Sequence, residues 1–154
     1  MNSVLFDTVA DLLPHQGYIV LLSGVSDWGD DSAEFYVEHD GKSPFADRNG
    51  DVPSWVGIEY MAQSISAFSG IIRKSSNQDV KLGFLLGTNK YKVNVDAFLK
   101  GTRVHIYVER VFHERNSVAL FSCTIKDGEH VLAQAELKAI QPDDPLALFS
   151  GGSL

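Results

Sequence analysis

One stretch constrains the fold of this chain more than any other: Val52 to Lys74, where Ile58, Met61, Ile65, Phe68 and Ile72 recur at spacings of three and four. Residues so spaced share one stripe of an α-helix, so the stretch predicts a long helix with a buried face. It is the only long, strongly periodic helical segment in the sequence, so the other elements must cover its stripe. Pro53-Ser54 predicts the start, because a serine hydroxyl can accept a hydrogen bond from a first-turn N–H; the helix is expected from Trp55. Beside the stripe runs a second row, Glu59, Ala62, Ser66 and Gly70, whose last three members are small enough to admit another backbone. Glu59 stands one turn in, where the positive end of the helix dipole favours a carboxylate. On the residues alone two readings of it stay open: exposed and inert, or buried and exchanging protons.

Upstream, Asn2 to Leu13 reads as a short amphipathic helix ended by Pro14. Gly17 to Val25, continuing towards Trp28, reads as a strand, Gly29 to Ser32 as a turn, and Ala33 to His39 as a second strand hairpinned to the first. Asp40 to Asp51 has loop composition. Downstream, Leu82 to Val95 contains two possible strand segments broken near Gly87-Thr88-Asn89. Val104, Ile106 and Val108 alternate with polar residues as in a half-buried strand, and Val118 to Ile125 is another. Lys126-Asp127-Gly128-Glu129 signals a hairpin into a last strand on which Val131, Ala133, Ala135, Leu137 and Ala139 alternate. One helix and about six strands predict an α+β domain, an antiparallel sheet wrapped around one long central helix, over residues 1–141, with a tail at 142–154. Long edge strands in such a sheet call for a partner, so a dimer is expected.

At 154 residues the chain fits one domain with a sizeable core. Its net charge of −7 argues against nucleic acid, which needs a dense positive surface. No apolar run approaches the roughly 20 residues that span a bilayer, and the N-terminal stretch has Asp7 and Asp11 without Lys or Arg, so a cytoplasmic protein without membrane contact is expected. The single cysteine, Cys123, sits in an apolar β-like run and reads as a small core residue. His39, His105, His113 and His130 show no metal-ligand spacing and read as surface or packing residues; no metal is expected. Asp30-Asp31 and Asp143-Asp144 read as turn charges, and Ser64, Ser66 and Ser69 lack the strand-to-helix elbow of a nucleophile.

Three segments in order resemble one family over about Leu5 to Ile140: Leu12-Leu13-Pro14-His15 with Tyr18; Pro53 with Ile58-Glu59-Tyr60-Met61-Ala62-Gln63; and Asp127-Gly128 with Ala133-Gln134-Ala135-Glu136-Leu137-Lys138-Ala139. They resemble the hotdog-fold β-hydroxyacyl-(acyl carrier protein) dehydratases. The wording from Trp55 to Gln63 is most similar to the divergent ApeP-like branch tied to aryl-polyene synthesis. The resemblance implies a hotdog fold and removal of water across C2 and C3 of a 3-hydroxyacyl thioester. The substrate would ride on the phosphopantetheine of an acyl carrier protein, with no other cofactor. It further implies a homodimer, or a heterodimer with a second hotdog protein. In the family a base takes the C2 proton, an acid protonates the departing hydroxyl, and backbone N–H groups at a helix N-terminus hold the enolate oxygen. Glu59 matches the family's helix carboxylate. Ser54, Trp55, Val56, Gly57 and Gln63 fall where substrate would bind.

The family's catalytic histidine has no match. Where a Gly-His-Phe-Pro loop belongs, this chain has Ser43-Pro44-Phe45-Ala46-Asp47-Arg48-Asn49-Gly50. Asp is normally too acidic, and Arg too basic, to exchange a proton near neutrality. Either His15 enters the site as base, against its reading as a structural residue at a helix–strand junction, or a partner subunit supplies the imidazole. Arg73, Lys74 and Lys81 near the helix end either favour its dipole or receive an acidic carrier protein. A non-catalytic hotdog partner or acyl-binding protein, and a thioesterase, are the alternative readings.

Overall fold

The structure is a computed structural model that describes residues 6–13, 19–78, 84–113 and 118–140. Strands β1 (Gly24–Trp28) and β2 (Ser32–Glu38) precede the short β3 (Val52–Pro53) and helix α1 (Gly57–Ser75). After the helix come β4 (Phe84–Val93), the short β5 (Ala97–Phe98), β6 (Arg103–His113), β7 (Val118–Asp127) and β8 (His130–Ile140). Six strands form one antiparallel sheet in the order β1-β2-β6-β7-β8-β4, and β3 pairs with β5 in a separate ribbon.

The period-two pattern becomes stacked layers across the sheet. Phe35 faces Ile106 and Ile106 faces Ile125, while Val108 meets Cys123 and Cys123 meets Ala135; all are buried under α1. Each large aliphatic or aromatic side chain so buried contributes about 1.5–3 kcal/mol. On the helix, Met61, Ile65 and Phe68 are buried as the stripe predicts, and Ile58 and Ile72 are partly so. Tyr60, Gln63, Ser64, Ala67 and Ile71 are buried as well. The sheet covers more of the circumference than one stripe, which is why polar Gln63 and Ser64 lie inside.

Four expectations change. The N-terminal helix reduces, within the described residues, to one 3₁₀ turn at Val9–Leu12. The Asp11 carboxylate accepts from the N–H groups of Asp7 and Thr8 and tightens that turn. Leu13, which precedes a proline, is extended. The first strand begins at Gly24 rather than Gly17, because the backbone at residues 19 and 21 bonds to a side chain of α1 instead of a neighbouring strand. The break near Gly87 is not a turn: β4 is continuous, with register shifts between Leu85 and Gly87 and between Asn89 and Lys92, and such bulges add twist to a strand without ending it. The helix starts through a 3₁₀ turn, Ser54–Val56, with Gly57 as its first α residue, and no side chain caps it. The turn is tied down through the Ser54 backbone instead, its N–H donating to the Asp96 carbonyl at 3.0 Å and its carbonyl accepting from the Tyr91 hydroxyl at 2.6 Å. The β1–β2 and β7–β8 hairpins and the inward alternation on β6 stand as expected.

Candidate functional site

The start of α1 is held from both sides. On one, the loop before it winds around Asp47, whose carboxylate accepts from the N–H groups of Asn49 and Asp51 at 2.8 and 3.1 Å. Asp51 in turn accepts from the Lys100 N–H at 2.8 Å. Asp47 is therefore a loop-forming residue. Phe45 from the same loop meets Trp55 edge-on, with ring centroids 5.8 Å apart. On the other side, Tyr91 of β4 reaches the Ser54 carbonyl, and burial pushes its hydroxyl pKa up to about 12, so it remains a donor.

Within this turn Val56 and Gly57 are buried and Trp55 is 62% exposed. The Gly57 N–H points back to the Ser54 and Trp55 carbonyls. That N–H is therefore engaged within the turn. Glu59 follows one turn later and is exposed in the single protomer. Its Oε2 accepts from the Gln63 side-chain amide at 3.4 Å. Gln63 is 1% exposed; its Oε1 accepts from the Leu21 N–H at 2.9 Å and its Nε2 donates to the Ile19 carbonyl at 2.7 Å. Its amide is directed at the protein's own groups, whereas the sequence suggested substrate. His15 lies outside the described residues, as does Lys81.

One histidine of the surface-or-packing group, His39, is a buried packing residue with specific partners. His39 is 5% exposed, its Nδ1 donates to the Thr102 carbonyl at 3.3 Å, and its Nε2 accepts from the Tyr60 hydroxyl at 2.9 Å. Its ring stacks on Phe98 with centroids 5.7 Å apart. Burial lowers the His39 pKa, outweighing the opposing influence of the Thr102 carbonyl and Asp40, and raises that of Tyr60. Both therefore stay neutral, and their hydrogen bond is one between uncharged groups. The pair borders a cavity of about 230 Å³ whose lining includes Val20, Leu21, Leu22 and Val37. The available signal was the alternation itself, since Ala33, Phe35, Val37 and His39 occupy successive inward positions. His105, by contrast, is partly exposed beside Glu34 at 3.2 Å. Among the described residues no cluster of His, Cys, Asp or Glu is arranged to hold a metal, and no helix is long and apolar enough to cross a membrane.

With this geometry in place, the comparisons with known proteins are specific. The family model described as ApeP-like, ApeP dehydratase, matches residues 7–150. The dehydratase heterocomplex ApeI:P from Xenorhabdus doucetiae contains a chain similar to this one, 28% identical, with a TM-score of 0.86. The match covers 96% of this chain and 99% of that one. An uncharacterised protein from Pyrococcus horikoshii is similar at a TM-score of 0.63 with 9% identity, covering 92% and 98% of the two chains. A thioesterase from Staphylococcus aureus, in a mutant form, is similar at 0.60 with 14% identity, covering 77% and 92%. The last two speak to the fold alone, the hotdog arrangement. No curated protein matches the chain.

Proposed function

Because this chain belongs to the ApeP-like dehydratase family, we propose that it removes water from 3-hydroxyacyl thioesters carried on the phosphopantetheine of an acyl carrier protein, giving trans-2-enoyl thioesters. The observation that carries the site assignment is Glu59, one turn inside α1, with a buried amide donating to its Oε2. Such a donor holds one carboxylate oxygen and leaves the other for substrate. In the forward reaction the C2 proton goes to a base and the C3 hydroxyl departs with a proton from an acid, while the thioester oxygen gathers negative charge. The amides of Trp55 and Val56, at the positive end of α1, suit that oxygen.

Glu59 can fill one of the two proton-transfer roles; the other calls for a group that titrates near neutrality. Among the described residues no histidine bonds to Glu59, and His39 is committed to Tyr60 and Thr102. The exposure of Glu59 in the protomer also calls for a cover that excludes water. Both needs are met by a second hotdog subunit that lays an imidazole against Glu59, with His15 as the intrachain alternative. The similar chain from Xenorhabdus doucetiae belongs to a dehydratase heterocomplex, which supports the first arrangement. The same two observations favour a second reading, in which this chain is a non-catalytic subunit that stabilises a dehydratase. Turnover of 3-hydroxyacyl-carrier thioester by this protein, by its hotdog partner and by both separates the readings. Dehydration that falls at least 100-fold on Glu59→Gln, with assembly intact, is the expected result. Full activity of the Glu59→Gln complex removes Glu59 from the chemistry and leaves the non-catalytic reading.

A further inference from the structure

We infer that Gln63 is a positioning residue for the reaction: its side-chain amide latches the Ile19–Leu21 segment to α1 and, through the same NH₂ group, sets the orientation of the Glu59 carboxylate. The inference rests on the reading of Glu59 as the proton-exchanging group.

An amide side chain has one oxygen and one NH₂, and it can be turned two ways. Here the partners decide. The Leu21 N–H requires an acceptor and the Ile19 carbonyl requires a donor, so Oε1 must face Leu21 and Nε2 must face Ile19, at 2.9 and 2.7 Å. The reversed amide would set oxygen against oxygen and hydrogen against hydrogen. That choice leaves the second Nε2 hydrogen directed at Glu59 Oε2, 3.4 Å away. The i, i+4 spacing of Glu59 and Gln63 brings them onto one face of the helix. At 1% exposure Gln63 has no water to fall back on, so its orientation is set by these three partners.

Ile19 to Ser23 belong to no strand, although their composition suits one. Bonding to the carbonyl of one residue and the N–H of the residue two further on is what a neighbouring strand would do; the Gln63 amide takes that place. The backbone that carries the exposed side chains of Ile19 and Val20, 59% and 37%, is thereby held to α1. A shift of this segment and a rotation of Glu59 are one event, because a single amide group holds both.

Gln63→Glu provides the test. The new side chain keeps an acceptor for Leu21, loses both donors and sets a second carboxylate next to Glu59, which raises the pH at which the pair ionises. In the assembled dehydratase the expected result is a kcat reduced at least 10-fold, KM changed less than threefold, and an acid limb of the kcat profile moved up by at least one pH unit. Gln63→Met, close in size and without donors, is expected to lower kcat while leaving that limb unmoved by a second charge. In the unmutated protein, the side-chain amide protons of Gln63 are expected to shift in NMR spectra along a single carboxylate titration that disappears in Glu59→Gln. An unmoved acid limb in Gln63→Glu, or Gln63 amide protons indifferent to pH, overturns the inference even where Glu59→Gln is inactive. Should the variants fail to fold, the NMR titration decides alone. An active Glu59→Gln enzyme instead defeats the underlying assignment, a separate outcome.

Discussion

The Tyr91 hydroxyl occupies the space that a Cβ on Gly57 would need: the two atoms would lie 2.4 Å apart. Glycine at the first α position of α1 lets a tyrosine of the sheet reach past the helix start to the Ser54 carbonyl. The turn Ser54–Val56 is braced by that contact.

Gly57→Ala is therefore expected to displace Tyr91 and crowd Phe98 and Ile125, whose nearest atoms would both lie 3.1 Å from the new methyl. Overpacking of this kind costs about 1–3 kcal/mol, and the helix start moves with it, so kcat should fall at least 10-fold. Tyr91→Phe, which loses only the hydrogen bond, should cost about 1 kcal/mol. In the double variant the clashing hydroxyl is gone, and the two effects should sum to less than the separate losses. Denaturant melts of the four proteins check this, and simple additivity would show that the hydroxyl and the missing Cβ do not share one space.

The His39–Tyr60 pair predicts a pH dependence of stability. Burial lowers the folded-state pKa of His39 below its ordinary 6.5. Between that ordinary value and the lowered one, the unfolded chain binds more protons than the folded one, so stability falls as pH falls through this window and is unaffected above it. Melting temperatures from pH 8 to pH 5 should show the decline, and His39→Gln should show a shallower one. Tyr60→Phe should cost about 1–3 kcal/mol at pH 7.5, since it leaves His39 Nε2 buried without its donor. Identical pH slopes in the native protein and in His39→Gln would exclude His39 as the source.

The sequence makes the sheet legible because alternation and burial coincide: Val104, Ile106 and Val108 read as inward-facing and are 0% exposed. The helix is legible for the same reason, at period 3.6, as is the position of Glu59 in its first turn. What escaped depends on partners distant in the chain. Gln63 holding Ile19 and Leu21 spans more than 40 positions, so no local pattern separates that segment from a strand. His39 and Tyr60 are 21 apart, and each looks like an ordinary packing residue until both are inside. Ser54 has the composition of a cap, yet Tyr91 and Asp96, from beyond the helix, satisfy its backbone and leave its hydroxyl without that task.

The row of small residues on α1 is expected to admit another backbone, and at Gly70 it does. A Cβ there would lie 2.2 Å from the carbonyl oxygen of Leu12 and 3.0 Å from its Cα. A backbone group cannot swing aside as a side-chain tip can, so Gly70→Ala should push the 3₁₀ turn off the helix and expose the buried side chains of Val9, Leu12 and Leu13. A loss of about 2–4 kcal/mol is expected, from the clash and partial exposure together. Gly70→Ala with unaltered stability would show that this turn contributes nothing to the fold.

Cys123 offers a probe of how the sheet opens. Its thiol is 1% exposed, between Val108 of β6 and Ala135 of β8, and burial pushes its pKa up to about 12. The thiolate is the reactive form, so near pH 8 the folded protein presents almost none of it, and labelling must pass through an opened state. Modification by a small disulfide reagent should be slower than in the unfolded chain by on the order of 10³-fold or more, the factor that a stability above about 4 kcal/mol implies. Cys123→Ala should label not at all and lose about 1 kcal/mol of packing, whereas Cys123→Ser should lose about 1–3 kcal/mol by burying a hydroxyl among apolar neighbours. Rapid labelling of the native protein, with stability intact, would show that β7 parts from β8 without global unfolding, contrary to the unbroken register that pairs Val118 to Ile125 with β8 around Cys123.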